Sequence, residues 1–534
     1  MTGDADTRAA INAVAGRTGR WGWVAPVGVA LLALAAIGVG LWHLINATAG
    51  LTIVEQRVGA IPVTIYRQAD TAAAPVVVIA HGFAGSQQLM QPFAVTLARN
   101  GYQAVTFDFP GHGRNRTPFV SQIADQERRV EVLLGALEAV TSVAAALPGS
   151  DGRVALLGHS MAGDVLLRLA AARRDQISAS VLVSPYMAAD APRTEPRNLL
   201  LVYGSWEPGM LHQSGRATIA VASGGTLPDA AAVQTDLTYG DLADGSARRM
   251  VLVPGVEHIG VLYGQGGLSA ALDWLNQVFG RVASGYIDAR GPALGLLLLG
   301  IVALAWPLSR LLPRAATQPL GAGLGWRRLW PLAVLPAVLT PLILRPLPND
   351  FLPILLGDYL ALHFGVYGVL TAAGLWFLNR DRPRTSGLVR WPGLVVATLA
   401  AGAYLTLAIA VPLDRYVTAF LPTGNRVWLI LGILPGTWAY FAADGWLTRG
   451  PGAPRGAPAL TKALFLLSLV AAVALNLSQL FFLVIIVPAI LAFFLLYGMI
   501  GGWIYRRTWH PLVGALAVGL ALAWAIAVTF PIVA

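Results

Sequence analysis

The sequence predicts two kinds of structure in one chain: an α/β domain with a mainly parallel sheet, and an all-α domain of membrane-spanning helices. Between residues 50 and 290, short apolar runs rich in β-branched residues alternate with helical patterns. After residue 290, longer apolar runs alternate with short loops that carry arginine. These runs are long enough to cross a bilayer. With 56% hydrophobic and 12% charged residues, the chain is too apolar for an ordinary soluble protein.

Three segments follow from these patterns. Residues 1–49 are predicted to be a cytoplasmic head followed by a transmembrane anchor, which runs from about Trp21 to Ile45. Residues 50–290 form the α/β domain, and residues 291–534 form a transmembrane domain of about eight helices. Residues 47–49, Ala-Thr-Ala, resemble a signal-peptidase site. The apolar run is longer than the roughly 7–15 residues of a signal h-region, which favours an uncleaved anchor.

The charge distribution predicts the orientation in the membrane. Residues 291–534 carry 16 basic and 5 acidic side chains, whereas residues 50–290 carry 18 and 20. The basic excess lies in short loops between apolar runs, which is typical of a membrane protein and argues against a nucleic-acid partner. With the head in the cytoplasm, the positive-inside rule places the α/β domain on the extracytoplasmic side. Because the chain is rich in arginine and almost free of lysine, we expect a bacterial plasma membrane.

Within the α/β domain, apolar runs predict strands that are buried on both faces. They are Pro75–Ala80, Gln103–Phe107, Val154–Leu157, Ser180–Ser184, Asn198–Tyr203 and Met250–Pro254. Helical patterns fall between them at Gln88–Arg99, Ser121–Ala146, Ala162–Arg174 and Leu268–Val282. This alternation predicts a mainly parallel sheet with helices on both faces. Ahead of it, residues 51–67 alternate as an antiparallel hairpin that turns at Gly59.

The stretch LLGHSMAGD (residues 156–164) predicts a serine nucleophile at Ser160. The serine follows a buried strand and precedes a helix, whose N-terminal N–H groups and dipole would stabilise a developing oxyanion. Small residues must flank such a sharp turn. Gly158 and Ala162 are both small, and Gly163 follows; Ala162 replaces the last glycine of the usual Gly-x-Ser-x-Gly motif, a mild change that keeps the turn.

The segments AHGFAGSQQLMQPFAVTLARNGYQAVTFDFPGHGRN and GHSMAGD together resemble the α/β-hydrolase superfamily, over about residues 63–280. The resemblance is to esterase-like serine hydrolases, here joined to a polytopic membrane domain. It implies that the backbone N–H groups of Phe83 and Met161 form the oxyanion hole. Only about ten residues separate Tyr186 from the next strand segment at Arg197, too few for a large cap.

The superfamily orders its triad as serine, acid and histidine. The turn GSWEP after the strand Asn198–Tyr203 resembles the acid turn and implies Glu207 as the acid. The loop GVEHIG after the strand Met250–Pro254 resembles the histidine loop and implies His258 as the base. Competing acids are Asp241, Asp244 and Glu257.

Other ionisable residues are assigned structural roles. We expect His81 to shape the oxyanion loop, and His112 and His159 to serve turns or packing. Asp164 is expected to form a buried hydrogen bond. In the membrane half, Asp358 and His363 lie five residues apart in one span and do not share a helix face. Hydrogen bonding between helices is therefore the preferred interpretation for them.

The sequence thus predicts a membrane-anchored serine hydrolase that cleaves carboxylic esters of lipid-like or acylated substrates through an acyl-serine intermediate. One alternative is an acyltransferase that uses the same acyl-enzyme, and another is a non-catalytic receptor or transport accessory. Because cysteine is absent, disulfides and thiolate chemistry are excluded. The sequence has no P-loop, dinucleotide fingerprint or metal motif, so we expect no cofactor and no metal.

Overall fold

The computed structural model describes residues 24–69, 73–121, 125–282, 285–348, 350–379 and 387–534. The predicted cytoplasmic head and the first residues of the anchor lie outside the described residues. The same holds for three arginines of a loop predicted to be inside, Arg380, Arg382 and Arg384.

A single mixed sheet forms the centre of the α/β domain. Its strands are β1 (Leu51–Val58), β2 (Ile61–Gln68), β3 (Ala74–Ala80), β4 (Gln103–Phe107), β5 (Ser150–His159), β6 (Ile177–Val183), β7 (Leu199–Gly204), β8 (Thr238–Tyr239) and β9 (Arg248–Val253). They are ordered β1-β2-β4-β3-β5-β6-β7-β9-β8. Neighbouring strands from β4 to β9 are parallel, whereas β1, β2 and β8 pair antiparallel. The predicted fold class is confirmed, and Val58 pairs with Ile61 across the hairpin turn at Gly59.

The sheet is buried on both faces, which explains its continuous apolar strands. In β3, Val76 and Val78 pack into one hydrophobic cluster, whereas Val77 and Ile79 pack into another on the opposite face. The helices of this domain are α2 (Gln91–Arg99), α3 (Gln126–Ala145), α4 (Ala162–Ala172), α5 (Gly209–Ala222) and α6 (Gln265–Phe279); α1 (Val24–Ala47) precedes the sheet. The first cluster contains residues of α3, α4 and α5, and the second contains residues of α2 and α6.

The predicted helices of this domain are present with ends that differ by a few residues, and two departures are larger. Helix α3 begins at Gln126 rather than near Ser121, because the Asp125 side chain caps it by accepting the Arg128 N–H. Helix α5 was not predicted at all. Its sequence begins with glycine and contains a second glycine, a serine and a threonine, so its apolar period is weak.

Among the described residues, nine helices are long and apolar enough to cross a membrane, in agreement with the predicted number of spans. They are α1 and α7 (Gly291–Ser309), α8 (Trp326–Leu344), α9 (Gly357–Asn379), α10 (Trp391–Tyr416), α11 (Arg426–Leu447), α12 (Ala457–Leu475), α13 (Leu483–Thr508) and α14 (Pro511–Thr529). A single helical turn, Leu477–Leu480, lies between α12 and α13. We refer to α7–α14 as the helix bundle.

Helix ends in the bundle form two opposite sides. The side that contacts the sheet domain contains the connections α8–α9, α10–α11 and α12–α13. Connections on the far side bond to one another: Ala315 N–H donates to Thr508 O, and Gly323 N–H donates to Arg449 O. Most of the described arginines of the bundle lie at this far side: Arg310, Arg314, Arg327, Arg328, Arg390, Arg449, Arg455, Arg506 and Arg507.

The two ionisable residues singled out in the spans are hydrogen-bonded. His363 of α9 lies 3.1 Å from Ser468 Oγ of α12 through its Nε2, so it joins two helices as predicted. Asp358 is near the start of α9, where its Oδ1 accepts the Tyr359 N–H at 2.8 Å. Its bond is therefore to the local backbone rather than to another helix.

Candidate active site

Ser160 occupies a sharp turn between β5 and α4. Its φ is +52°, a strained conformation for a residue with a side chain. A Cβ added to Gly158 would lie 3.0 Å from the Ala162 Cβ and 2.8 Å from a Leu166 methyl group. Positions 158 and 162 therefore face each other across the turn. The glycine at 158 leaves room for the alanine at 162. This turn around Ser160, here called the elbow, can therefore carry alanine where the usual motif has glycine.

Two other glycines allow close backbone approach at the turn. A Cβ on Gly163 would lie 2.5 Å from the Pro185 Cβ. One on Gly82 would lie 2.8 Å from His159 Nδ1 and 3.0 Å from the Ser160 Cβ. The loop after β3 can therefore approach the nucleophile only because residue 82 has no side chain.

The structure brings Ser160, His258 and Glu207 into one hydrogen-bonded chain. Ser160 Oγ lies 3.0 Å from His258 Nε2, and His258 Nδ1 lies 2.9 Å from Glu207 Oε2. In the tautomer that satisfies both contacts, Nδ1–H donates to the carboxylate and Nε2 accepts the serine hydroxyl. The three residues follow β5, β9 and β7, so all lie at the edge formed by the carboxyl ends of the parallel strands, here called the carboxyl edge.

Glu207 is held by three donors. Besides His258, its Oε1 accepts the Ser184 hydroxyl at 2.5 Å and the Gly204 N–H at 2.7 Å. Burial alone would raise the pKa of Glu207, but these hydrogen bonds outweigh it and keep the pKa below the usual value. The acid is therefore ionised at neutral pH and fixed in position. The role of Ser184 as a donor to Glu207 was not predicted, because in the sequence Ser184 is simply the last residue of a buried strand.

The backbone N–H groups of Phe83 and Met161 flank the turn. Within the described part of the chain, neither N–H has a protein acceptor among the hydrogen bonds found. Met161 immediately precedes α4, so its N–H belongs to the positive end of that helix. Both groups therefore remain available to an oxygen atom bound next to Ser160.

The neighbouring histidines are structural. His81 Nδ1–H donates to Gly82 O at 2.8 Å, and His81 Nε2 accepts the Phe109 N–H at 3.1 Å, which ties the oxyanion loop to the loop after β4. His159 lies under His258, and its Nε2–H donates to His258 O at 3.0 Å. Burial lowers the pKa of His81, and burial together with the charge of His258 lowers that of His159, so both are neutral.

The competing acids stabilise turns instead. Asp241 accepts the Ala243 N–H at 2.9 Å, and Asp244 accepts the Ser246 N–H at 2.7 Å. Glu257 accepts two N–H groups of the turn that follows His258. Asp164 accepts hydrogen bonds from the Arg168 side chain and from the Ala188 N–H, as expected for a buried hydrogen-bonding group. None of these side chains bonds the His258 ring among the contacts of the described residues.

The helix bundle also reaches this site. The Phe482 ring, at the start of α13, packs on the Phe83 ring with 4.5 Å between centroids. Between β6 and β7 the chain forms no cap helix. Over the residues that the structure describes, no group of three or more potential metal ligands is found.

Comparison with known proteins agrees with this fold. A sequence model of the family described as serine aminopeptidase, S33, matches residues 71–220. Lipase LipV of Mycobacterium tuberculosis is 47% identical over 55 residues, which are 10% of this chain. That match spans only about a fifth (21%) of the lipase.

Solved structures similar to this chain include a predicted CIB-like hydrolase from Thermoplasma acidophilum, with 17% identity and a TM-score of 0.32 over 42% of this chain and 99% of the other. A hyperthermophilic esterase from Pyrobaculum calidifontis has 15% identity and a TM-score of 0.31 over 47% of this chain and 91% of the esterase. From the family match and the strand order, the chain contains a domain with the α/β-hydrolase fold, joined to a region of apolar helices that can span a membrane.

Proposed function

We propose that the chain is a membrane-embedded serine hydrolase that cleaves carboxylic esters through an acyl-Ser160 intermediate. The observation that carries the proposal is the continuous hydrogen-bonded chain from Ser160 Oγ through His258 to Glu207. A degenerate hydrolase fold kept only for binding would not need three side chains, from three separate strand ends, to lie within hydrogen-bonding distance of one another.

In the first half-reaction, Ser160 Oγ attacks the ester carbonyl carbon while His258 Nε2 takes the hydroxyl proton. The carbonyl oxygen becomes an oxyanion, and the N–H groups of Phe83 and Met161 would donate to it. When the tetrahedral intermediate collapses, the carbon–oxygen bond to the alcohol breaks and His258 returns the proton to the leaving alcohol. The acyl group then remains on Ser160.

In the second half-reaction, water takes the place of the alcohol. His258 accepts a proton from water, the hydroxide adds to the acyl carbonyl, and Ser160 leaves with the proton from His258. Glu207 holds the imidazole tautomer and stabilises the imidazolium in both steps. Its three hydrogen bonds and its lowered pKa suit this role, because a protonated acid would stabilise the cation poorly.

The matched family is described by a peptidase name, whereas the short match to a lipase favours esters. The apolar side chains beside the triad support the ester interpretation: Tyr186 and Trp206 are exposed, and Phe83 and Phe482 pack together. Acyl transfer to an alcohol instead of water uses the same intermediate. Adding a lipid or sugar alcohol during turnover and analysing products for a new ester separates acyl transfer from hydrolysis.

Fluorophosphonate labelling of the full chain in detergent tests the enzyme proposal. We expect wild type to be labelled and to release the acid from short p-nitrophenyl esters, whereas Ser160→Ala does neither. Ser142→Ala is a matched control, since it removes the hydroxyl of an exposed serine on α3 that has no contact with the triad. If wild type shows neither labelling nor turnover while correctly folded, the chain is a binding protein and the proposal is wrong.

We also propose that residues 50–290 form the hydrolase domain on the extracytoplasmic side and residues 291–534 the transmembrane domain. The arginines at the far side of the bundle support this orientation under the positive-inside rule. A membrane-impermeant maleimide should label a cysteine placed at exposed Val143 in intact cells but not one placed at exposed Leu311. The reverse pattern would invert the topology.

A further inference from the structure

The carboxyl edge of the sheet, which holds the triad, points at the ends of the membrane helices. The loop after β3 contacts the α10–α11 connection, where Ser86 Oγ accepts the Ala419 N–H at 2.8 Å. The loop after β4 contacts the segment after α14: Phe119 N–H donates to Ile532 O, and Ile532 N–H donates to Gly111 O, both at 2.8 Å. One half of the carboxyl edge is therefore fixed on the bundle.

The other half is fixed at the start of α7. The loop after β9, which carries His258, continues to Tyr263, whose carbonyl accepts the Gly291 N–H at 3.4 Å. The segment before α7 is held on α2, where Asp288 N–H donates to Thr96 Oγ1 at 3.0 Å. In the strand order, β5, β6 and β7 lie between these two contact regions. Ser160 and the ends of β6 and β7 therefore face the plane of the helix ends.

Four large apolar side chains are exposed on the carboxyl edge, three after β6 and β7 and one directly after His258. They are Tyr186 (55% exposed), Trp206 (72%), Met210 (74%) and Ile259 (43%), and we call them the apolar rim. All adjoin the triad. The Tyr186 N–H donates to Ser160 O at 3.0 Å, and Trp206 and Ile259 are chain neighbours of the acid and the base. Met210 lies in the first turn of α5, just after the acid.

We propose that the apolar rim lies in the lipid–water interface of the bilayer, so that the Ser160 site opens toward the lipids and takes an amphiphilic ester whose acyl chain stays in the leaflet. The substrate part of this proposal rests on the proposed function. Exposed apolar clusters are costly in water, and tryptophan and tyrosine are enriched at membrane interfaces. The carboxyl edge already faces the helix ends, so lipid is the nearest apolar surface for the rim.

The natural absence of cysteine gives a direct test. Single-cysteine variants Trp206→Cys and Met210→Cys of the full chain are labelled with an environment-sensitive NBD fluorophore and reconstituted into phosphatidylcholine vesicles. The control is Val143→Cys, an exposed apolar position (40%) near the end of α3, which leads to the opposite edge of the sheet.

We expect blue-shifted emission at positions 206 and 210, with quenching by vesicle lipids that carry a doxyl group at a shallow position. The label at position 143 should emit as in water and remain unquenched. If labels at 206 and 210 behave like the label at 143, the rim does not touch lipid and the proposal is wrong. This outcome is independent of whether the chain has esterase activity.

Activity supplies a second measurement. Met210→Asp should lower turnover of a long-chain ester embedded in vesicles at least about tenfold more than turnover of a short soluble ester, whereas Val143→Asp should change the ratio of the two activities by less than about twofold. If Met210→Asp kept the same fraction of wild-type turnover on both substrates, the proposed entry route would be wrong. Failure of wild type on every ester would instead contradict the proposed function and leave the quenching result to decide the position of the rim.

Discussion

The ring of Phe482 in the helix bundle packs against the ring of Phe83, 399 positions earlier in the sequence, with 4.5 Å between the ring centroids. Phe83 is the residue whose backbone N–H is proposed to donate to the oxyanion. The ring of Phe83 also contacts His112, so the side chain is held between the two parts of the chain. The bundle thus touches the hydrolase site directly.

Phe482→Ala should lower kcat/KM because Phe83 loses a packing partner. Aromatic pairs contribute about 0.5–1.5 kcal/mol, so we expect a loss of about 2- to 10-fold on short esters and a larger loss on long-chain esters. The matched control is Leu477→Ala, an exposed apolar residue in the helical turn before α13. Steady-state kinetics on an ester series measure both. Equal effects of the two variants would mean that the oxyanion loop at Phe83 is not supported by the bundle.

The acid assignment predicts a large effect of Glu207→Gln. The amide cannot stabilise the imidazolium and favours the wrong tautomer, so turnover should fall by about three to four orders of magnitude. Asp241→Asn and Asp244→Asn remove only turn hydrogen bonds and should retain most activity. If either aspartate variant were inactive while Glu207→Gln kept nearly normal turnover, the acid of the triad would have to be that aspartate instead of Glu207.

The lowered pKa of Glu207 also predicts how stability depends on pH. Hydrogen bonds favour the ionised form in the folded chain, so this contribution is fully present above the unfolded value of 4.5 and is lost as pH falls through the lower folded pKa. Thermal unfolding of wild type and Glu207→Gln should therefore differ in slope only on the acidic side. Parallel curves down to the lowest accessible pH would show that the carboxylate is not stabilised by its donors.

The geometry of the elbow predicts different effects on turnover for substitutions at two adjacent residues, 162 and 163. Gly163→Ala puts a methyl group 2.5 Å from the Pro185 Cβ, so we expect at least about tenfold lower turnover and a destabilisation of about 1–3 kcal/mol. Ala162→Gly restores the usual motif, and turnover should stay within about threefold of wild type. Chemical denaturation and ester kinetics on both variants provide the measurement. A large gain from Ala162→Gly would show that the alanine strains the turn.

Much of the hydrolase domain could be predicted because its signals are local. A buried strand followed by small residues around Ser160 determines the elbow, and apolar periodicity determines the parallel strands and most of the helices. Helix α5 was missed because its residues have weak helical periodicity. Ser184 was missed because a hydroxyl at a strand end gives no sign of its partner. The roles assigned to Ser160, Glu207 and His258 remain predictions, although the structure brings the three together.

The individual residue contacts between the two parts could not be predicted, because they join segments that are far apart in the sequence. Buried Arg426, at the start of α11, illustrates this. Its guanidinium donates to Gly111 O at 2.9 Å, to Ala527 O within α14 and to Phe530 O just after it. No periodicity in either segment indicates such a partner.

The pairing of Ile532 with Gly111 and Phe119 has a consequence for biosynthesis. A ribosome makes the hydrolase domain first, and domains generally begin to fold as they emerge. The loop after β4 nevertheless receives its partner only after eight further helices have been synthesised and inserted. Until then, the loop after β4, which packs beside the loop that carries Phe83, lacks these two hydrogen bonds. Under the proposed function, the last step of membrane insertion would then also be the step that completes the catalytic domain.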